Sequence, residues 1–220
     1  MASGNDAVTR EDILRATEEL FERHGYHATS MRQIADAVGL KAGSLYSHIA
    51  SKEEILCDIV GRIASDLLLA SQAARDLDAP PTERLRAFIR GQLEAIARHP
   101  KMANVLLMEW RSLPMPQKNT IRRMRDGYEK NLEKIITDGQ VSGEFRGLNP
   151  KWVRFVILST INWASQWLDP NGPNTPAEIA DGFLDVVLQG IRQNDESRRS
   201  AVKAPRRSGS PTPSVRRAKL

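Results

Sequence analysis

The chain has few of the features that usually announce chemistry. Its 220 residues include one cysteine, Cys57, which excludes an intrachain disulfide framework. Cys57 lies among Ile55, Leu56 and Ile59 and reads as a small core residue. The four histidines show no HExxH or other paired metal spacing, and the cysteine has no base beside it. No glycine-rich phosphate loop follows a strand. The expectation is a protein that is not an enzyme and holds neither metal nor cofactor. No basic-then-apolar leader opens the sequence, so export is not indicated. The longest apolar run, residues 155–168, is broken by Ser159, Thr160, Asn162, Ser165 and Gln166. It is too short and too polar to span a bilayer, so a cytoplasmic location without membrane contact is expected.

Positive charge is also scarce where it first seems plentiful. The net charge is +5, but residues 193–220 hold eight Lys/Arg against Asp195 and Glu196. The rest of the chain is therefore close to neutral. Affinity for a polyanion must come from locally placed cations and helix dipoles.

Strand-like segments are few, and hydrophobic periodicity gives a succession of helices. The first covers residues 10–24, with Ile13, Leu14, Leu20 and Phe21 in its stripe and Gly25 as its stop. Ser30 and Gln33 have capping-box spacing, and so do Ser51 and Glu54. Between these caps lie a helix ended by Gly39 and a short helix over 42–49. Further helices are expected over 51–75, over 82–98 with Thr82 as cap, over 101–113, and over 117–138, stopped by Gly139 and Gly143. Asn149-Pro150 opens the eighth helix. Thr175-Pro176 with Glu178 opens the ninth, to about 190. This is an all-α chain of nine helices. Its divisions are expected at 1–54, at 55–194, and at a disordered basic tail, 195–220.

Residues 29–52, TSMRQIADAVGLKAGSLYSHIASK, carry the strongest signal. An apolar helix is joined by a glycine turn to a helix of small, hydrogen-bonding residues. Such a helix suits the DNA major groove, because bulky side chains would hold it off the base edges. Leu45 and Ile49 supply the inward face. This segment resembles the N-terminal DNA-binding domain of the TetR family of repressors. The resemblance rests on Ser30, Ile34-Ala35, Ala37-Val38-Gly39-Leu40, Leu45-Tyr46-Ser47-His48-Ile49 and Ser51-Lys52. Lys41 stands where Ser or Thr is usual, and Ile49 where Phe is frequent.

The resemblance implies a homodimer on double-stranded operator DNA, with a helix-turn-helix domain and a helical domain for ligand and dimer contacts. The hydroxyl and amides at Ser30, together with Arg32, would meet phosphate. Tyr46, His48 and Lys52 match positions that touch the sugar-phosphate backbone. Lys41, Ala42, Gly43, Ser44 and Ser47 lie where base edges come within reach, and Lys41 suits a guanine.

Further along, Asn162-Trp163 and Trp167, Gly143-Glu144-Phe145 and Leu188-Gln189-Gly190 are similar to the TetR regulators that respond to acyl-coenzyme A thioesters. Regulators of fatty-acid and steroid catabolism are the best-known members. This implies a small-molecule effector, an acyl-CoA with a medium-to-long or polycyclic acyl part. Multidrug-sensing relatives, or a scaffold that has lost DNA reading, are the alternatives. Met102, Leu106 and Trp110 offer an adaptable apolar wall, Arg122 and Arg123 a cationic cluster, and Tyr128 a neighbouring face. Trp163 and Trp167, four apart, are expected to stack on one helix face beside Asn162; they could line the ligand site or form the dimer seam. That seam is expected from Phe155 and Leu158 on the eighth helix and Ile179, Phe183, Val186 and Val187 on the ninth. The fourth helix, running from Lys52 past Leu67, is the expected lever between ligand and DNA.

Overall fold

A computed structural model describes residues 8–191 of the chain. The basic tail expected over 195–220 lies outside the described residues. Among these, the regular structure is entirely helical: α1 Arg10–His24, α2 Met31–Ala37, α3 Ala42–Leu45, α4 Lys52–Asp76, α5 Pro81–Arg98, α6 Pro100–Glu109, α7 Met115–Ser142, α8 Pro150–Trp163 and α9 Pro176–Ile191. Single 3-10 turns, Trp110–Ser112 and Ala164–Gln166, extend α6 and α8. No described helix is long and apolar enough to cross a membrane.

Five of the helix starts, those of α1, α2, α4, α8 and α9, follow from side chains that satisfy orphan amides, while α5, α6 and α7 open on proline. Thr9 and Asp12 form a capping box on α1, as Ser30 and Gln33 do on α2. Ser51 accepts from the Glu54 amide at the head of α4, and Asn149 from the Lys151 amide at the head of α8. Thr175 and Glu178 bond reciprocally at the start of α9. Thr82 departs from its expected role. It sits inside the first turn of α5, and its amide and hydroxyl both donate to Glu144 Oε2, at 3.1 and 2.7 Å.

α3 is shorter than expected, because residues 46–48 form a turn after Leu45. α7 is longer. Gly139 does not end it: the Phe145 ring lies so close that a Cβ at 139 would fall inside it. The stop is Gly143 alone, at φ 79° in the left-handed region.

α4 is the spine. Ile55, Ile59 and Ile63 are wholly buried along it, and α5 and α7 pack on its length, with Gln92 reaching the Leu67 carbonyl and Asn131 reaching Ser71. α1 packs on α4 and α6, α9 on α5, and α8 on α7. α1–α3 thus sit as a small head on one end of a larger helical body.

Candidate nucleic-acid interface and effector cavity

The head presents α3 outward. Leu45 and Ile49 are buried beneath it, while Lys41, Ala42, Gly43, Ser44, Tyr46, Ser47 and His48 are all exposed. The turn before α3 depends on Gly39, at φ 70°, which lets the Leu40 amide return to the Ala35 carbonyl at 2.9 Å. Arg32 is exposed in the first turn of α2. The Ser30 amide and hydroxyl both donate to Gln33 Oε1 at 2.8 Å, so an arriving phosphate would have to displace Gln33.

Two cations expected nowhere, or elsewhere, hold this surface in place. Arg10 donates to the His48 carbonyl at 3.0 Å, to Glu54 at 2.7 Å and to Asp58 at 2.6 Å. It clamps the end of the reading segment to α1 and α4. The bonds to Asp58 and then Glu54 raise the Arg10 pKa, and the Arg10 bond is the main cause that lowers that of Glu54. A cation in the first turn of a helix opposes the helix dipole, and that was the available signal for Arg10. Lys52 is turned inward. Its ammonium donates to the carbonyls of Tyr26 at 2.7 Å and Thr29 at 2.6 Å, and lies 4.4 Å from the Tyr26 ring centre. The Tyr26 hydroxyl is pushed up to about 12, first by burial and then by Glu53.

The body contains a cavity of about 190 Å³ between α4, α6, α7 and α8. Ala64, Leu67, Ile121, Met124 and Leu158 make its apolar walls; Leu106, Trp110, Arg122, Tyr128 and Asn162 also line it. The Trp110 ring is ringed by guanidinium groups: Arg111 at 5.2 Å, Arg125 at 5.3 Å and Arg122 at 5.9 Å. Glu129, the one carboxylate in the lining, is engaged by Arg154 at 3.3 Å and Arg125 at 3.6 Å.

Several residues fall away from the places expected for them. Arg123 is exposed, donates to Thr120 at 3.1 Å and does not line the cavity. Met102 is buried and faces a separate groove with His99 and Arg62. Trp163 and Trp167 do not stack on one another, because α8 tightens into a 3-10 turn after Trp163. Both are exposed outside the cavity, and Trp167 instead meets Phe183 edge-on at 6.0 Å. Leu158 is buried in the cavity wall and not on the outer face of α8.

A family model described as bacterial regulatory proteins, tetR family, matches residues 13–59. A second, described as tetracyclin repressor-like, C-terminal domain, matches residues 78–191, more than half of the chain. The chain belongs to the TetR family.

Among relatives, it is 29% identical to the HTH-type transcriptional repressor KstR2 of Mycobacterium tuberculosis, over 83% of this chain and 92% of that protein. The solved structure of that ketosteroid transcriptional regulator superposes with a TM-score of 0.80 at 28% identity, covering 88% of this chain and all of the other. AibR, solved in complex with isovaleryl coenzyme A and operator DNA, gives a TM-score of 0.70 at 28% identity, covering 80% of this chain and 96% of that one. These relatives are regulators, not enzymes.

In this TetR chain a polar seam joins head and body. Lys101 on α6 pairs with Glu19 on α1 at 2.6 Å, and Asn104 donates to Glu22 at 3.3 Å. Glu109, adjacent to Trp110, accepts from the Tyr26 amide at 2.9 Å, and His27 meets Ser112 at 3.0 Å. Glu18 lies in the same seam, buried, with Oε1 unpartnered; burial and then Glu11 push its carboxyl up to about 7. On the far side, α8 and α9 expose an apolar face. Trp152 is 62% exposed, Val156 62%, Trp163 65% and Val186 73%, with Phe155 also exposed and Ile179, Phe183 and Val187 half-buried. Trp152 and Val156 were missed in the sequence, although they share a helical face with Phe155 and Ser159.

Proposed function

We propose that the protein is a homodimeric transcriptional repressor that leaves its operator when a coenzyme A thioester enters the body cavity. The observation that carries the effector reading is the Trp110 ring with three guanidinium groups within 6 Å, at the edge of an apolar cavity. That pairing suits a ligand with an anionic, aromatic head and an apolar tail, which is the chemistry of an acyl-CoA. AibR, with its isovaleryl coenzyme A, supports it. A cationic-drug sensor would need a free carboxylate in the wall, and Glu129 is already engaged by Arg125 and Arg154.

In this reading α3 enters the major groove. Tyr46, His48 and Arg32, with Ser30, meet the backbone, while Lys41, Gly43, Ser44 and Ser47 face base edges. Lys52 positions the head instead of touching DNA. One head covers a half-site, so two must be held about 34–36 Å apart. The exposed α8 and α9 face, through Phe155, Ile179, Phe183, Val186 and Val187, forms the four-helix seam that spaces them.

Release requires the thioester to bind better to a form whose heads are wrongly spaced. α6 is well placed to connect the two. It carries Leu106 and Leu107 in the cavity wall and Lys101, Asn104 and Glu109 at the seam with the head. α4 runs in parallel, from Lys52 under the head to Ala64 and Leu67 in the cavity. The test is a gel shift on DNA from upstream of the protein's own gene, with and without acyl-CoAs. A shift that thioesters reverse and CoA alone does not is expected. No shift at moderate salt would leave a ligand-binding scaffold.

A further inference from the structure

The cavity speaks to the size and polarity of what enters it. Its volume is about 190 Å³. An engineered protein cavity of about 150 Å³ accepts benzene, so this one has room for roughly six to eight non-hydrogen atoms. Its inner wall is firmly packed. The Tyr128 ring stacks on the fully buried Phe88 at 5.4 Å, and Ile121 and Leu158 are buried in the core. Behind Tyr128, Leu68 lies 3.3 Å from where a side chain at Gly127 would begin.

One polar group inside lacks a partner. Tyr128 lines the cavity and is nine-tenths buried, yet among the described residues no group hydrogen-bonds its hydroxyl. Burial keeps that hydroxyl protonated, hence a donor. The hydroxyl is not sealed from solvent, so the cost arises when a ligand displaces solvent from it: an all-carbon ligand would leave the donor unpaired, and one that brings an oxygen acceptor would not. Glu129 is no rival for it, being held by Arg125 and Arg154.

We infer that the cavity selects a short acyl group of about six to eight non-hydrogen atoms that presents a carbonyl or hydroxyl oxygen to Tyr128. The inference rests on the thioester reading above and narrows it. The acyl group is smaller than the medium-to-long or polycyclic one the sequence suggests, and it is oxygenated. Tyr128 sets its polarity, and Leu158 is one of the buried walls that limit its size.

The test is tryptophan-fluorescence titration of the full-length protein with hexanoyl-CoA, 3-oxohexanoyl-CoA, 3-hydroxyhexanoyl-CoA, palmitoyl-CoA and CoA alone. An oxygenated hexanoyl thioester should bind about tenfold tighter than hexanoyl-CoA. Palmitoyl-CoA should bind more weakly than either. Tyr128→Phe keeps the ring on Phe88 and should erase the preference for oxygen, bringing the affinities for the oxygenated and plain hexanoyl thioesters together. Leu158→Ala should shift the preference toward longer chains. Palmitoyl-CoA binding as tightly as hexanoyl-CoA would overturn the inference, as would an unchanged oxygen preference in Tyr128→Phe, while leaving the thioester reading intact. Absence of quenching by every thioester would remove that reading and this inference together.

Discussion

In the head, many of the bonds that shape the backbone join residues three or four positions apart; the cavity is lined by residues from four helices, between positions 64 and 162. The head's caps and glycine turn act locally, and Arg10 and Lys52 then tie its surface to α4. The cavity exists only once α4, α6, α7 and α8 have packed. A part that reads a fixed DNA surface gains from local definition, and a part that must change with a ligand gains from depending on several movable elements.

The strongest way to break this contrast is to separate the two heads without touching either. Val156→Asp with Val186→Asp places charge on the exposed α8 and α9 face. Sedimentation should show a monomer, and operator affinity should fall by about two orders of magnitude or more, since each head then binds alone. Helical content should stay unchanged.

A smaller effect is expected within the body. Gly139→Ala drives a methyl group into the Phe145 ring and should cost about 1–3 kcal/mol by thermal unfolding. The head offers the counterpart. Arg10→Ala removes the bonds to His48, Glu54 and Asp58. Because the side chain is 40% exposed, the expected loss of stability is about 1–2 kcal/mol. Operator affinity should fall with it, and Arg10→Lys should restore only part, lacking the guanidinium fork.

Glu18 sharpens the comparison at the seam itself. Its folded carboxyl titrates at about 7, above the 4.5 of an ordinary glutamate. Between those values the folded protein keeps a proton that the unfolded chain has released. The contribution is therefore full below pH 4.5 and is lost as pH rises through about 7. Glu18→Gln should make stability flatter over that window and raise it by about 1–2 kcal/mol at pH 8, measured by urea unfolding.

What the sequence revealed follows the same contrast. Ser30 with Gln33, Gly39 and Thr175 with Glu178 were legible because each acts within a few residues of its own position. Thr82 was misread because Glu144, sixty-two positions away, takes both its donors. Gly139 was read as a stop because nothing local reveals that Phe145 needs the missing side chain. The Trp163 and Trp167 spacing failed because it assumes an α-helical rotation that ends at Ala164. Leu158 was assigned to the outer face because α8 is apolar on more than one side, and periodicity cannot say which side meets a partner. Arg122 and Trp110 both line the cavity, while Arg123, one residue on, does not.

The central claim is that the cavity beside Trp110 controls the grip of α3 on DNA. The most direct measurement is fluorescence anisotropy of labelled DNA from upstream of the protein's own gene, titrated first with protein and then with a short oxygenated acyl-CoA. The account predicts saturable binding at moderate salt, then release by the thioester, no release by CoA alone, and release blunted by about tenfold or more in Arg122→Ala/Arg125→Ala. Operator binding that no thioester disturbs, or release that the double variant undergoes as readily as the wild type, would contradict it.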